Sequence, residues 1–156
     1  MIEVHERVFV GNIQCCTPAV GARAYVHACK NPCHADAVGY TGNLDPRHAN
    51  YLVLRCGEHL YLNMIDPPVP LFKPESFKAF RDFAAEHWNA GRGLVIHCNQ
   101  GESRAPSFAL LFLAKDLGVL PDDSFEAARK AFTPLYPRYN PGRGIVTFLT
   151  SSWASL

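Results

Sequence analysis

Short apolar runs and helix-like periodicities alternate along this chain. Runs of branched and aromatic residues between turn residues predict strands at 7–11, 51–55, 59–64 and 94–96, with at most one more near 37–40. Apolar spacing of three to four residues, or a capping pattern, predicts helices at 18–29, 74–90, 105–117, 123–132 and 144–152. Strands that alternate with helices predict an α/β fold.

The helix predicted from Pro74 has the clearest pattern. Its large apolar residues share one face at helical spacing: Phe77, Phe80, Phe83, Ala84 and Trp88. Such a stripe is far more typical of a core-facing helix than of a ligand site. The run Leu94–Ile96 that follows is entirely apolar, as expected for a strand covered on both faces.

The composition favours one domain over residues 1–156. The chain is 48% hydrophobic and 19% charged, which is enough apolar material to bury a core. We predict a three-layer α/β domain, in which helices flank a central, mostly parallel, twisted sheet of four to five strands. The formal net charge of +1 favours neither nucleic-acid nor membrane partners. No signal-peptide pattern is found at residues 1–6. The reduced thiol on which the chemistry described below depends makes the cytoplasm the expected location, and a monomer is expected.

Residues 95–104, VIHCNQGESR, carry the chemistry. Cys98 and Arg104 stand across a glycine, between a predicted strand and a predicted helix. A strand, a tight loop and a helix in this order bring backbone N–H groups together on an anion. The guanidinium of Arg104 would add a planar pair of donors for two anion oxygens. The predicted phosphate-binding residues are Asn99, Gln100, Gly101, Glu102, Ser103 and Arg104.

Cys98 is the predicted nucleophile. A helix N-terminus and a nearby cation favour the thiolate form of a cysteine, and the sequence supplies both. The thiolate would attack phosphorus, while loop amides and Arg104 stabilise the charge on the equatorial oxygens. Gly101 permits a backbone turn, and His97 is expected to support the loop through a hydrogen bond from its ring to the backbone.

Asp66 is the predicted acid for the leaving oxygen. It lies 32 residues before Cys98, at the end of a strand-like run and ahead of two prolines. A carboxyl group on such a loop can give its proton to the leaving group and then act as a base toward water. The alternative is that Asp66 only starts a turn, as Asp before Pro often does.

Together these residues resemble the protein tyrosine phosphatase superfamily, and in particular its small dual-specificity branch. The signature of the superfamily is His-Cys, five residues and Arg, with a glycine third after the cysteine, and positions 97–104 satisfy it. The spacing to Asp66 is typical of the branch. The resemblance covers about residues 8–149. It implies a phosphatase-like fold and hydrolysis of phosphorylated proteins or peptides through a cysteinyl-phosphate intermediate, without a cofactor.

Two positions depart from the family pattern. The family usually has Ser or Thr directly after the arginine, where the hydroxyl helps the thiolate to leave, whereas this chain has Ala105. In the Pro-Asn-x-Gly-Phe element of the branch, Gly142 takes the place of the asparagine. Both changes affect the second chemical step. We therefore predict that the phosphoenzyme forms readily and breaks down slowly.

Two other functions stay open. A phosphate-binding module without useful turnover, or pseudophosphatase, would keep Cys98 and Arg104 for recognition, although binding alone does not need Asp66. A sulfurtransferase-like enzyme shares the cysteine-five-arginine loop and needs no upstream acid.

The loop also bears on the substrate. The carboxylate of Glu102 would repel a second phosphate, which favours phosphotyrosine, or phosphoserine and phosphothreonine if the pocket is shallow. Candidates for a peptide-holding rim are Arg47, Arg138, Tyr139 and Arg143, although each alone is more often a solvated surface residue.

The six cysteines do not indicate a metal site. Cys29, Cys33 and His34 are loosely spaced, and no second pair at metal spacing follows, so no metal is predicted. A disulfide framework is not expected either. The resemblance leaves room for a protective disulfide between Cys98 and another cysteine, for which Cys15, Cys16 or Cys56 could serve. Residues 30–50 are irregular, and we weigh a functional loop and a simple surface insertion equally.

Overall fold

A six-stranded sheet organises the chain. The computed structural model describes all 156 residues. Its strands are β1 (Ile2–His5), β2 (Val8–Gly11), β3 (Arg23–His27), β4 (Val53–Cys56), β5 (His59–Leu62) and β6 (Gly93–His97). They lie in the order β1-β2-β6-β3-β5-β4. The four inner strands are parallel, and β1 and β4 are antiparallel edges. A mostly parallel sheet is thus confirmed, with six strands instead of four to five.

Five helices lie between and after the strands. They are α1 (Ala35–Val38), α2 (Pro74–Asn89), α3 (Arg104–Lys115), α4 (Phe125–Phe132) and α5 (Arg143–Ser152). Three further short helical segments cover Ile13–Cys15, Lys30–His34 and Trp153–Ser155. Pro74 opens α2 as predicted, since its fixed φ suits the first helical position. None of these helices combines the length and the apolar character needed to cross a bilayer.

The two faces of the sheet are covered differently. A hydrophobic cluster of 35 buried residues joins one face to helices α2–α5 and includes Val26 and Ile96. His27 and His97 follow these residues in their strands, and side chains alternate along a strand, so the two histidines point to the second face. Residues 13–16 and 29–38 cover that second face. The layer they form is thin and lies outside the main cluster.

The structure differs from the predicted pattern at β3. Residues 18–29 were expected to form a helix, but Arg23–His27 is a central strand that pairs with β5 and β6. A strand buried on both faces has no period of two, and pairing on both edges overrides its helix-like composition. Residues 37–40 contain the end of α1 and the left-handed Gly39 instead of a strand. β1 was not anticipated.

The start of α4 is also one residue from the predicted position. The capping pattern that predicts the helix at 123–132 is Asp123 followed three residues later by Glu126, which would form a capping box. In the structure Ser124 is the N-cap, and its hydroxyl accepts a hydrogen bond from the Ala127 N–H at 3.1 Å.

Phe108 on α3 is the side chain that we expect to matter most for the packing of α2. It is fully buried, with ring centroids 4.8 Å from Phe77 and 4.7 Å from Phe80. Phe108→Ala is expected to lower the free energy of unfolding by about 3–5 kcal/mol in urea denaturation, because a cavity remains. Leu135→Ala, at a position that is 43% exposed, is the control and should change it by less than about 0.5 kcal/mol. Equal effects of the two variants would contradict this account of the core.

Candidate functional site

The carboxyl ends of four parallel strands meet at one edge of the sheet. The register pairs His97 of β6 with Gly11 of β2 and His27 of β3, and His27 in turn with Tyr61 of β5. The segments that leave these strands are therefore brought together. This is the edge at which ligands bind in open α/β sheets.

The loop between β6 and α3 holds its carbonyl groups outward. Four of these carbonyl oxygens accept hydrogen bonds from groups outside the loop. The Asn99 oxygen accepts from the Ile13 N–H at 3.1 Å, and the Gly101 oxygen accepts from the Tyr136 hydroxyl at 2.7 Å. The Glu102 oxygen accepts from the Asn140 N–H at 2.8 Å, and the Ser103 oxygen accepts from the Ser107 N–H at 3.1 Å and hydroxyl at 2.7 Å. The C=O and N–H of a trans peptide point in opposite directions. The amides of residues 100, 102, 103 and 104 consequently point to the inside of the loop.

Cys98 begins this loop and is buried, at 2% exposure. Its Sγ accepts a hydrogen bond from the Gly101 N–H at 3.3 Å. Gly101 has a φ of +75°, and a Cβ there would come within 2.8 Å of the Gly11 carbonyl oxygen. The predicted turn at Gly101 is confirmed, and both the backbone angle and the close approach of β2 exclude a side chain.

Arg104 is held in place at the first turn of α3. Its Nη1 donates to the carbonyl oxygens of Ala28 at 3.0 Å and Met64 at 2.8 Å, and its Nη2 donates to Asn99 Oδ1 at 2.8 Å. Its Nε is buried and has no hydrogen-bond partner. A buried donor without an acceptor costs free energy. An anion bound in the loop would supply that acceptor.

Asn99 has a role that the sequence did not reveal. Its Oδ1 accepts from Arg104, and its Nδ2 donates to the Asn31 carbonyl oxygen at 2.9 Å. The side chain therefore links the arginine to the segment after β3. No sequence signal announces this contact, because Asn31 and Asn99 are 68 residues apart.

Asp66 lies at the rim of the loop. It is exposed, and it follows Met64, whose carbonyl holds Arg104. Its carboxylate rests against Gly142, since a Cβ at that position would come within 2.7 Å of Asp66 Oδ1. The Gly142 N–H donates to Ser103 Oγ at 2.9 Å. Two neighbours of Asp66 therefore contact the loop: the Met64 carbonyl accepts from Arg104, and the Gly142 N–H donates to Ser103.

Gly144 explains why the start of α5 can approach the segment after Asp66. A Cβ at Gly144 would overlap the carbonyl oxygens of Pro67 and Val69. The helix therefore packs directly on the backbone of the segment that carries Asp66.

The hydroxyls of Ser103 and Ser107 have hydrogen-bond partners other than Cys98. Ser103 Oγ accepts from Gly142, and Ser107 Oγ donates to the Ser103 carbonyl and lies 2.9 Å from the Tyr139 hydroxyl. Neither forms a hydrogen bond to Cys98. Ala105, the position after the arginine, is buried, and its methyl side chain offers no hydroxyl.

The four residues that were candidates for a peptide-holding rim lie in different surroundings. Tyr139 was expected at the rim, but it is buried against Ser107 and burial raises its pKa, so it supports the loop from within. Arg47 pairs with Asp45 at 3.0 Å in the 30–50 segment. Arg138 lies 3.4 Å from the Glu102 carboxylate and is the rim candidate that contacts the loop. Arg143 is exposed.

His97 contacts another histidine more closely than it contacts the backbone. Its Nδ1 is 3.5 Å from the Cys98 carbonyl oxygen, at the outer limit of a hydrogen bond, whereas its Nε2 is 2.7 Å from His27 Nδ1. His27 Nε2 in turn lies 2.9 Å from His59 Nδ1. Burial lowers the pKa of His97 to about 4, and burial with the charges of His97 and His59 lowers the pKa of His27 to about 3. Both rings are therefore neutral near pH 7.

Residues 30–50 lie beside the segment that carries Asp66. His34 fixes them through the Tyr40 hydroxyl and the Asn50 carbonyl, both at 2.9 Å. Between them and the segment that carries Asp66 is a cavity of about 470 Å³, whose lining includes Lys30, Leu44, Tyr51, Ile65, Pro67 and Leu71. Its lining includes no residue of the loop at 98–104.

Comparison with known proteins gives a fold. No protein-family model and no curated protein matches the sequence. Among solved structures, the human tyrosine phosphatase-like serine/threonine/tyrosine-interacting protein is 17% identical, with a TM-score of 0.68 over 98% of this chain and 95% of that chain. Human DUSP28 is 15% identical, with a TM-score of 0.69 over 99% and 96%. The Cydia pomonella PTP-2 phosphatase is 13% identical, with a TM-score of 0.64 over 97% and 88%. The chain has the fold of the small dual-specificity phosphatases, the branch that its loop signature resembles.

Proposed function

We propose that this protein hydrolyses phosphomonoesters through a cysteinyl-phosphate intermediate on Cys98, with phosphotyrosyl proteins or peptides as its substrates. The observation that carries the proposal is the unpartnered Nε of Arg104, buried beside a loop whose amides face inward around a thiol. A phosphate group would satisfy these donors together. The fold shared with phosphatases supports the same conclusion.

In the first step the Cys98 thiolate attacks phosphorus, the S–P bond forms and the bond to the leaving oxygen breaks. The inward amides and Arg104 Nε stabilise the charge that builds on the equatorial oxygens. Arg104 is already fixed by Ala28, Met64 and Asn99, so little reorganisation is needed as the charge develops. Asp66 gives its proton to the leaving oxygen.

In the second step water attacks phosphorus and the S–P bond breaks. Asp66, now a carboxylate, takes a proton from the water, and Cys98 leaves as a thiolate. In this chain no hydroxyl is bonded to Cys98 to stabilise the departing sulfur, because Ala105 occupies the position after the arginine and the hydroxyls of Ser103 and Ser107 have other partners. The second step is therefore the slow one.

Singly phosphorylated peptides fit the surroundings of the loop best. The Glu102 carboxylate is 39% exposed on the loop, and its charge disfavours a second phosphate nearby, although Arg138 at 3.4 Å offsets part of that charge. The cavity beside Asp66 offers apolar side chains and Lys30 to the residues that flank a phosphotyrosine.

A phosphate-binding module without useful turnover is the second candidate. The buried Ala105 favours it, because a phosphoenzyme that cannot break down would leave only recognition. One of the structural neighbours is itself described as tyrosine phosphatase-like. Thiosulfate transfer has no such supporting observation.

Cys98→Ser is the first test. This variant should abolish release of p-nitrophenol from p-nitrophenyl phosphate, because the nucleophile is lost, and it should still bind inorganic phosphate. Cys56→Ser, at an exposed position on β4, is the matched control and should keep full activity. Turnover by Cys98→Ser would contradict the mechanism.

Arg104→Lys keeps the charge of the side chain but loses the planar pair of donors, so kcat is expected to fall about 100-fold or more.

Asp66 is tested through the leaving group. Asp66→Asn is expected to lower kcat/KM, which reports on the first step, by about 10²–10⁴-fold for phenyl phosphate and much less for p-nitrophenyl phosphate, whose leaving group hardly needs a proton. Gly142→Ala should give a smaller effect of the same kind, since its Cβ displaces the Asp66 carboxylate. Asp123→Asn, an exposed carboxylate outside the site, serves as the control. Equal losses of kcat/KM with both substrates would rule out the acid role.

Ala105→Ser tests the slow second step. In rapid-mixing experiments with p-nitrophenyl phosphate, the native chain should release a burst of product and then turn over slowly. Ala105→Ser is expected to raise the slow phase about tenfold, equivalent to about 1.4 kcal/mol of barrier, with the burst rate unchanged. Ala109→Ser, one turn later in α3 and equally buried, should leave both phases as they are. An unchanged slow phase in Ala105→Ser would refute the explanation from the missing hydroxyl.

A further inference from the structure

Four metal-ligating side chains meet on the second face of the sheet. Cys16, His27, Cys33 and His97 each offer one ligand atom, and these atoms all lie within 4.8 Å of one another. The Sγ atoms of Cys16 and Cys33 are 3.0 Å apart, and His27 Nδ1 and His97 Nε2 are 2.7 Å apart. Three of the four residues are buried, and Cys16 is exposed.

The donor set and the spacing suit a tetrahedral metal ion. Two thiolates and two imidazoles are a ligand set of structural zinc sites, with Zn–S bonds of about 2.3 Å and Zn–N bonds of about 2.0–2.1 Å. Tetrahedral angles then place the ligand atoms roughly 3.3–3.8 Å apart. The sulfur pair and the nitrogen pair would each open by less than about 1 Å to admit the ion.

The remaining ring nitrogens also have the partners expected of metal-bound histidines. His27 Nε2 faces His59 Nδ1 at 2.9 Å, and His97 Nδ1 faces the Cys98 carbonyl oxygen at 3.5 Å. Such outer contacts fix the tautomer and the orientation of a ligating imidazole. His34 is different, because both of its ring nitrogens are already bound, to Tyr40 and Asn50.

The four side chains come from four parts of the chain. Cys16 follows β2, His27 ends β3, Cys33 lies in the segment after β3, and His97 ends β6. The covering layer to which the two cysteines belong lies outside the main hydrophobic cluster. A metal ion bound to all four would fasten this thin layer to the sheet, where apolar packing is sparse.

We propose that Cys16, His27, Cys33 and His97 bind one Zn²⁺ in a closed, four-coordinate structural site next to the phosphate loop. The two cysteines bind as thiolates, so each gives up the proton of its thiol when the ion enters. This proposal replaces the sequence-based expectation that no metal is bound. It also uses a different set of residues from Cys29, Cys33 and His34, because Cys16 and the two strand-end histidines are brought close only by the fold.

Metal content is the primary measurement. The full chain is purified under reducing conditions without chelator, and zinc is measured by elemental mass spectrometry. One Zn²⁺ per chain is expected. The metal-free chain is then titrated with Co²⁺, which should give a thiolate-to-cobalt charge-transfer band and the intense visible bands of tetrahedral cobalt. No tight binding of either ion by the reduced chain would overturn the proposal.

The zinc content and cobalt spectra of single-residue variants locate the site without any measurement of phosphatase activity. Cys16→Ser, at an exposed position, should lose the stoichiometric zinc and weaken the cobalt charge-transfer band, with circular dichroism unchanged. Its matched control is the neighbouring Cys15→Ser, and Cys98→Ser is a second control; both should keep the metal. His59→Gln should lower the zinc affinity about 10–100-fold, as expected for a partner of a ligating histidine. Retention of zinc by Cys16→Ser, or its loss in Cys98→Ser, would refute this site.

Discussion

The outward hydrogen bonds of the phosphate loop are the constraint on which the rest of the site depends. A loop of five residues can present its amides to an anion only if its carbonyls are bound on the other side. Here the donors are the Ile13 and Asn140 amides, the Tyr136 hydroxyl and Ser107. Two of them, Tyr136 and Asn140, belong to the segment between α4 and α5. The C-terminal third of the chain therefore contributes to the shape of the loop as much as the strand and helix beside it.

The same segment explains the unusual Gly142. In the family pattern an asparagine stands there, but in this chain the Asp66 carboxylate occupies the space that its side chain would need. Gly144 meets the backbone after Asp66 in the same way. The two glycines let α5 and the acid-bearing segment approach each other closely. The departure at position 142 is thus coupled to the position of Asp66 and is more than a lost side chain.

The sequence predicted those parts of the molecule that are determined locally. The strand, loop and helix around Cys98 are contiguous, so the turn at Gly101 and the start of α3 follow from a dozen residues. The helix that begins at Pro74 was likewise predicted from the spacing of its apolar residues. β3 was not, because a strand buried on both faces has no alternation to detect and owes its conformation to its neighbours.

The long-range contacts that hold the site together could not be predicted from the sequence, and the reason is different. Arg104 is bound by carbonyls that lie 76 and 40 residues away, and His97 meets His27 across 70 residues. Backbone carbonyls are present at every residue, so nothing in the sequence marks which ones will receive the arginine. The same applies to Cys16, whose spacing to Cys33 and to the histidines resembles no metal motif along the chain.

The ring of His97 lies on the second face of the sheet, and the next residue, Cys98, begins the phosphate loop. The residue was expected to support the phosphate loop through the backbone, yet that contact is at the limit of a hydrogen bond, and the shorter contact is to His27 on the second face. Its ring is fixed mainly from that face, while the next residue in the chain is the proposed nucleophile. Any change in how His27 holds this ring acts directly on the peptide that leads into Cys98. The layer behind the sheet is therefore part of what positions the loop, although it contributes no group to the proposed chemistry.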